Sequence, residues 1–305
     1  MARIAIENIR EIHLTPLPRE RDLHTIGIHA IHPTVRRAYR EAEYHHRPKS
    51  AAEASARGEK HWNGLNSSFS RIHVQDTDNG AIVRATIVPT RYLFGQAMRD
   101  IAAGYTPEQI QELSPDMANV SLILPVQHNG EYFLLGQIKG KALGEGQIHA
   151  AVTAGNVASR YLDQPMPLLA ALNSECAEEL GIDLTQLHPG SFVYMVDERE
   201  TGQVNFAATA PIQDLDSVLH IYDTVARSRL AQSESPEVKG LAELPVAGLA
   251  LVPAERLARD VRCFYPSPEG LVERIEDREV RPYTEAVAAY ASQPENRRFL
   301  LEKVA

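Results

Sequence analysis

The feature of this sequence that most constrains its fold is the Asn129-Gly130 dipeptide, which lies between two apolar segments of similar length. Asn-Gly favours the tight turn that joins two neighbouring antiparallel strands, because both residues tolerate positive φ. The flanking segments 120–126 and 132–138 are rich in Val, Ile, Leu and Phe. We therefore predict a β-hairpin over residues 120–138.

A helix is predicted downstream of this hairpin, over Pro167–Leu180. Its leucines and Cys176 recur every fourth residue and make one apolar stripe. Gly181 suits the left-handed position just past a helix end. Strands on both sides of this helix in the sequence favour an α/β sandwich with a mixed sheet. The other strands predicted in this half of the chain are 148–153, 192–196, 204–210 and 249–252.

The first 116 residues differ in sequence pattern from the rest of the chain and are predicted to form a smaller α+β domain. Ser114-Pro115-Asp116 marks its boundary, so the second domain covers residues 117–305 and includes helices from Tyr283 onward, broken near Pro294. The elements predicted in the first domain are strands at 70–74 and 81–88, joined by a turn at 78–80, and helices within 35–60 and 106–113.

Composition narrows the class of protein and its partners. The 305 residues are 44% hydrophobic, enough for buried cores, and no stretch of eighteen apolar residues indicates a membrane span. The charged amino terminus does not resemble a signal peptide, so we expect a cytoplasmic protein without a membrane partner. A net charge of −9 argues against nucleic acid as a partner. Cys176 and Cys263 make no disulfide framework.

Three carboxylates lie in the last turn of the predicted helix: Glu175, Glu178 and Glu179. Residues three and four apart are neighbours on a helix, so these side chains repel one another. They also lie at the negative end of the helix dipole, which favours cations. A shared divalent cation would remove both penalties, and Mg²⁺ fits because it takes a few carboxylates plus phosphate oxygens. The alternative is a solvated acidic face without a ligand.

The segment Ser174–Ile182 resembles the second half of the Nudix box, R-E-U-x-E-E-x-G-U, where U is aliphatic. Ser174 stands where that family has Arg, and Cys176 stands for an aliphatic residue. Upstream, Ala154-Gly155-Asn156-Val157 resembles the Pro-Gly-Gly turn that opens the box, although the loop is four residues longer. The mid-loop Glu of the family has no clear counterpart here, and Asp163 is the nearest acid.

A second resemblance covers the amino-terminal half and is to the Nudix branch that hydrolyses UDP-glucose and UDP-galactose. It rests on His61–Gly64, Phe69–Arg71 and Ile87–Gly95, which occur in the same order as in that branch. The branch also has a similarly degenerate box. The resemblance implies that Arg71 and Tyr92 are substrate-binding, whereas Trp62 is better explained as a core anchor.

Together the resemblances imply a Nudix-like α/β/α sandwich that hydrolyses a small-molecule nucleoside diphosphate derivative with Mg²⁺, or with Mn²⁺. The alternative is a Nudix-fold nucleotide-binding module without catalytic activity, which Ser174 and the missing mid-loop Glu favour. His149 is expected to be structural. The implied site residues are Glu175, Glu178 and Glu179 as catalytic metal ligands, Gly155 and Asn156 in the substrate cleft, and Glu243 as general base, with Glu237 as a second candidate for the base.

Overall fold

The computed structural model describes residues 2–16, 37, 65–91, 116–139, 146–181, 187–198, 203–211, 213–232, 246–253 and 260–296. These residues form a mixed α/β structure that contains much more strand than helix. Its strands are β1 (Arg3–Ile6), β2 (Ile9–Pro16), β3 (Leu65–Thr77), β4 (Gly80–Arg91), β5 (Asp116–His128), β6 (Glu131–Lys139), β7 (Ile148–His149), β8 (Thr153–Asn156), β9 (Phe192–Glu198), β10 (Gln203–Thr209), β11 (Gln213–Asp214), β12 (Val246–Pro253), β13 (Asp260–Ser267) and β14 (Gly270–Asp277). The helices discussed below are α1 (Pro167–Glu179), α2 (Leu215–Gln232) and α3 (Pro282–Ser292), and a 3₁₀ turn covers Ser159–Tyr161.

The described strands form one large mixed sheet in the order β1-β9-β10-β5-β6-β12-β13-β14. β10 runs parallel to β5, whereas β6 and β8 run antiparallel to it. β5 is the central strand of the sheet, and it pairs with different strands along its two halves. Its first half lies between β10 and β8, and its second half lies between β11 and β6.

Alternation along β5 separates two hydrophobic cores on the two faces of the sheet. Val120, Leu122 and Leu124 belong to the core that includes the buried residues of α1 and α2. Ile123 belongs to the other core, which includes buried residues of α3 such as Val287. Successive side chains of a strand point to opposite faces, so α1 and α2 cover one face and α3 covers the other.

The hairpin and the helix predicted around the acidic turn are both confirmed. Asn129 and Gly130 have φ of 51° and 79°, as a tight hairpin turn requires. α1 begins at Pro167, buries its apolar stripe, and is followed by Gly181 at φ 69°. α3 ends at Ser292, next to the break predicted near Pro294.

Strands of the predicted amino-terminal domain are part of the same sheet as the rest of the chain. The strands predicted at 70–74 and 81–88 are confirmed as parts of β3 and β4. β3 also pairs with the start of β5, and Phe69 packs edge-on against Phe206 at 5.3 Å between ring centroids. Of the helices predicted within 35–60 and 106–113, the structure describes only residue 37, which is helical, and the division at residue 116 stays a prediction. None of the helices that the structure describes is long and apolar enough to cross a membrane.

Candidate functional site

Two carboxylates of α1 face strand β8. The carboxyl of Glu175 lies against Gly155 so closely that a Cβ at Gly155 would overlap it. Thr153 Oγ1 donates a hydrogen bond to Glu179 Oε2 at 2.5 Å. Glu175 and Glu179 are four residues apart on one helix face, and Thr153 and Gly155 are two residues apart on one strand face. These two periodicities bring the four residues together.

The interpretation of Gly155 and Asn156 as a turn is wrong, because both belong to β8. Gly155 pairs with Val120 and Asn156 pairs with Asn119, in antiparallel register. A glycine inside a strand often marks a close approach of another group, and here that group is the carboxyl of Glu175. Alternation directs the side chain of Asn156 to the opposite face of the sheet from Glu175. A substrate-binding role for either residue stays a prediction.

The third carboxylate of the turn has different neighbours. Glu178 Oε1 accepts a hydrogen bond of 2.9 Å from Ser174 Oγ, and Nη2 of Arg160 lies 3.7 Å from the same oxygen. Arg160 and Glu178 are 63% and 65% exposed, so water screens this ion pair. The guanidinium beside Glu178 thus comes from the 3₁₀ turn that follows β8, and position 174 supplies a hydroxyl.

Arg160 is held in place by its neighbour Tyr161. Its Nη2 donates to the Tyr161 hydroxyl at 2.6 Å, and its Cζ lies 4.8 Å from the centroid of that ring. This hydrogen bond raises the pKa of Arg160, burial opposes it, and the negative charges of Glu178 and Glu175 raise the pKa further. Arg160 therefore stays cationic at the edge of the acidic turn.

The end of α1 concentrates negative charge. Its last turn contains no basic residue. Burial raises the pKa of Cys176, and the charges of Glu179 and Glu175 raise it further, so the thiol stays protonated and packs as an apolar group. The turn is fixed against α2, because Gly181 lies close enough to Val225 that a Cβ would overlap that side chain. A divalent cation would therefore be attracted to a helix end that packs against α2.

The donor set fits Mg²⁺ in part. Mg²⁺ binds through one or two carboxylates and keeps several waters, so Glu175 and Glu179 on one side of the helix are sufficient protein ligands. Within the described ranges, no group of three or more His, Cys, Asp or Glu side chains is arranged to hold a metal ion. The three-carboxylate set with Glu178 stays a prediction.

The remaining predicted residues are distributed as follows. Arg71 is exposed on β3, a strand that pairs with β4 and β5, and its substrate-binding role stays a prediction. His149 is buried, and its ring stacks on that of Tyr283 at 4.3 Å, which agrees with the expected structural role. Asp163 is exposed. Tyr92, Glu243, Glu237 and Trp62 lie outside the described residues.

Two residues that contact the acidic turn, Thr153 and Arg160, are not among those predicted from the sequence. A Thr two positions before a strand glycine shares its face, so the alternation of β8 is a signal that points to Thr153. For Arg160 the signal is weaker. The acidic helix end favours a nearby positive charge, but nothing in the sequence indicates which basic residue supplies it. No family model matches this chain, and no curated protein matches it. The Nudix relationship is therefore a prediction from Ser174–Ile182.

Proposed function

We propose that the chain is a Nudix-type hydrolase that cleaves the diphosphate of a nucleoside diphosphate linked to another moiety, with a UDP-sugar as the first substrate to test. The observation that carries the proposal is the placement of Glu175 and Glu179 against Thr153 and Gly155. Two carboxylates at the negative end of a helix and beside a strand favour a divalent cation.

The order of helix and sheet layers in the fold supports the proposal. Helices α1 and α2 cover one face of the mixed sheet and α3 covers the other, which is the arrangement that an α/β/α sandwich requires. We propose that this is a Nudix-like sandwich, in which α1 is the helix of the degenerate box.

Each residue of the acidic turn then has a distinct task. Glu175 and Glu179 would hold Mg²⁺ or Mn²⁺, and Thr153 would keep the carboxylate of Glu179 in position by its hydrogen bond. Glu178 would complete the set, although Arg160 competes with a cation for its charge. Arg160 would also offset the negative charge of a diphosphate. The metal ion, when bound, stabilises charge on the phosphoryl oxygens and lowers the pKa of a bound water.

The reaction is a hydrolysis between the two phosphorus atoms. The oxygen of a water molecule bonds to one phosphorus, and the bond from that phosphorus to the bridging oxygen breaks. A carboxylate accepts the proton of the water, and Glu243 is the candidate that the sequence suggests for this base. The products from a UDP-sugar are UMP and a sugar phosphate, so no oxidant or further reactant is required.

The test compares wild type with Glu179→Gln, in which the charge is lost and the shape is kept. We expect kcat/KM for UDP-glucose to fall at least about 100-fold, because the side chain holds the cation that the reaction requires. UMP release in the presence of Mg²⁺ is the readout, and circular dichroism verifies the fold. Glu285→Gln, an exposed acid in the first turn of α3, is the matched control and should retain full activity.

Wild-type rates for Glu179→Gln would contradict the assignment of the site. Absence of turnover by the wild type with UDP-sugars, ADP-ribose and NADH, with either Mg²⁺ or Mn²⁺, would contradict the hydrolase itself.

The second candidate is a nucleotide-binding module of the same fold without catalytic activity. Ser174 in place of the box arginine, and the engagement of Glu178 by Ser174 and Arg160, favour it. Isothermal titration separates the two: the module binds a UDP-sugar equally well with and without Mg²⁺, whereas the hydrolase binds Mg²⁺ through Glu175 and Glu179. A protein that binds neither ligand would leave the acidic turn as a solvated helix end.

A further inference from the structure

The last strand of the sheet, β14, presents an unpaired edge. It pairs with β13 along all eight of its residues, and among the described strands it has no partner on its other side. An edge strand of this length offers a row of backbone donors and acceptors to another strand. Any chain that pairs there must therefore match the side chains of β14.

β14 also carries exposed apolar side chains. Ile275 is 70% exposed, which is the largest value among the exposed large hydrophobic residues of the described part of the chain, and Val272 is 41% exposed. Ile275 shares a strand face with Leu271, which packs against the core that α1 and α2 cover. Ile275 is thus a highly exposed apolar side chain on the open edge strand.

The charges of β14 are complementary to a second copy of the same strand. In an antiparallel pair related by a two-fold axis through Ile275, each Arg274 lies opposite Glu276 of the other copy. The two Ile275 side chains meet at the axis, and cross-strand neighbours of this kind stabilise a sheet. An axis through residue 273, 274 or 276 would instead place identical charges opposite each other. An axis through Val272 would leave Ile275 exposed.

This register also places two negatively charged residues opposite each other, but one of them is already paired within its own chain. Glu273 would lie opposite Asp277, but Glu273 already accepts a hydrogen bond from Arg262 Nε at 2.7 Å. This interaction also lowers the pKa of Glu273, so its charge is compensated within its own chain. Charged residues on an edge strand often prevent pairing. On β14 they disfavour two-fold axes at residues 273, 274 and 276, and about Ile275 they place Arg274 opposite Glu276.

We propose that β14 is the dimerisation surface of the protein and pairs antiparallel with β14 of a second copy about a two-fold axis at Ile275. Such an interface uses the same patch on both subunits. It joins the two sheets into one and places α2 of both copies on the same side, because α2 packs over β13 and β14.

The experiment is sedimentation equilibrium of the full-length chain from about 1 to about 100 µM, the range in which moderate homodimers dissociate. We expect a dimer for the wild type. R274E places Glu opposite Glu276, and I275K places two ammonium groups at the axis. Each should weaken dimerisation about tenfold or more without a change in circular dichroism, since both side chains are largely exposed.

Mixing charge-reversed variants gives a positive test. R274E alone and E276R alone should each dimerise at least about tenfold more weakly than the wild type, whereas an equimolar mixture should regain dimerisation, because the register then pairs Glu with Arg at both positions. R84E, which reverses an exposed charge on β4, is the matched control and should dimerise as the wild type does.

E276R removes the acceptor of the Tyr265 hydroxyl and of Arg278, so its fold is verified first. If E276R does not fold, R274E and I275K decide the matter. A monomeric wild type, a dimer that neither R274E nor I275K weakens, or folded variants that fail to dimerise when mixed would each overturn the proposal.

Discussion

The two faces of the sheet around β5 carry different kinds of polar side chain. On the α3 face, the Tyr283 hydroxyl lies 2.7 Å from Ser121 Oγ, and Ser121 Oγ donates to Asn205 Oδ1 at 2.7 Å. Ser121 has a single proton and gives it to Asn205, so Tyr283 must be the donor to Ser121. On the α1 face, the polar groups beside β8 are the carboxylates of Glu175 and Glu179.

The difference between the faces is one of charge. The chain from Tyr283 to Asn205 is neutral and buried, and each hydrogen bond in it replaces one with water, so its effect is on stability. The carboxylates carry negative charge at a helix end without a basic residue in the last turn. Neutral polar groups can satisfy one another's hydrogen bonds within the protein, whereas a group of like charges favours the binding of a counter-ion from solution. Substitutions on the two faces should therefore separate stability from ligand binding.

Among the substitutions that compare the two faces, Gly155→Ala should have the largest effect. The added Cβ would overlap the carboxyl of Glu175, which is the flexible end of its side chain and can move away. We expect a small loss of stability, about 1 kcal/mol or less, together with a fall in kcat/KM of about 100-fold and weaker Mg²⁺ binding. Calorimetry and UMP release are the measurements.

A double-mutant cycle is the control for Gly155→Ala. In a Glu175→Gln background, the same change should add little to the loss, because both substitutions disturb the same group. Unchanged Mg²⁺ affinity in the single variant would show that the contact between Gly155 and Glu175 has no part in binding.

On the α3 face we expect a loss of stability without a loss of activity. Ser121→Ala removes the middle of the hydrogen-bonded chain and leaves both Tyr283 and Asn205 without that partner, so it should cost about 2 kcal/mol. Tyr283→Phe removes only the first donor and should cost about 1 kcal/mol. Urea unfolding measures both values, and kcat per folded molecule should be that of the wild type. Equal costs for the two variants would contradict a chain in which Ser121 bonds to both Tyr283 and Asn205.

The smallest expected effect concerns the outer side of the acidic turn. Arg160→Ala removes a positive charge 3.7 Å from Glu178, so a cation should bind to the turn more tightly. Because the pair is exposed, we expect only about a two- to fivefold gain in Mg²⁺ affinity, and less at high salt. Arg160→Lys keeps the charge and should bind Mg²⁺ as the wild type does. Weaker binding by Arg160→Ala would mean that Arg160 positions Glu178 for the metal.

Local patterns predicted the parts of this structure that depend on neighbouring residues. The hairpin at Asn129-Gly130 and the end of α1 at Gly181 both depend on residues that adopt positive φ. The acidic turn is local as well, because residues three and four apart on a helix are adjacent. Hydrophobic periodicity and turn chemistry were therefore sufficient for these elements.

Two elements were not predicted although a local signal exists. α2 buries Leu215, Val218 and Tyr222 at helical spacing, and Asp214 Oδ2 accepts from the backbone N–H of Ser217. An acidic residue three positions before a helical N–H is an ordinary N-cap, so this helix could have been recognised. The second element is the hairpin of β13 and β14. Its local signal is Gly270, which has φ of 129° at the turn.

The placement of Glu175 against Gly155 could not be predicted from local patterns. Glycine more often marks a turn than a strand interior, and only the packing of α1 on β8 shows why a side chain is excluded at this position. Likewise, the ion pair of Glu178 with Arg160 joins two separate elements, so it could not be read from local patterns. Contacts between distant segments decide the chemistry of the turn.

The pairing of β1 with β9 has a consequence for biosynthesis. Ile4 pairs with Val196, so β1 leaves the ribosome long before the strand that it pairs with. At roughly 5–20 residues per second, that delay is about 10–40 s. During this interval β1 lacks its described partner β9, and β5 has β6 and β8 beside it but not yet β10. Such incomplete sheets in a nascent chain are what chaperones act on, and this sheet can be completed only after β9 and β10 are made.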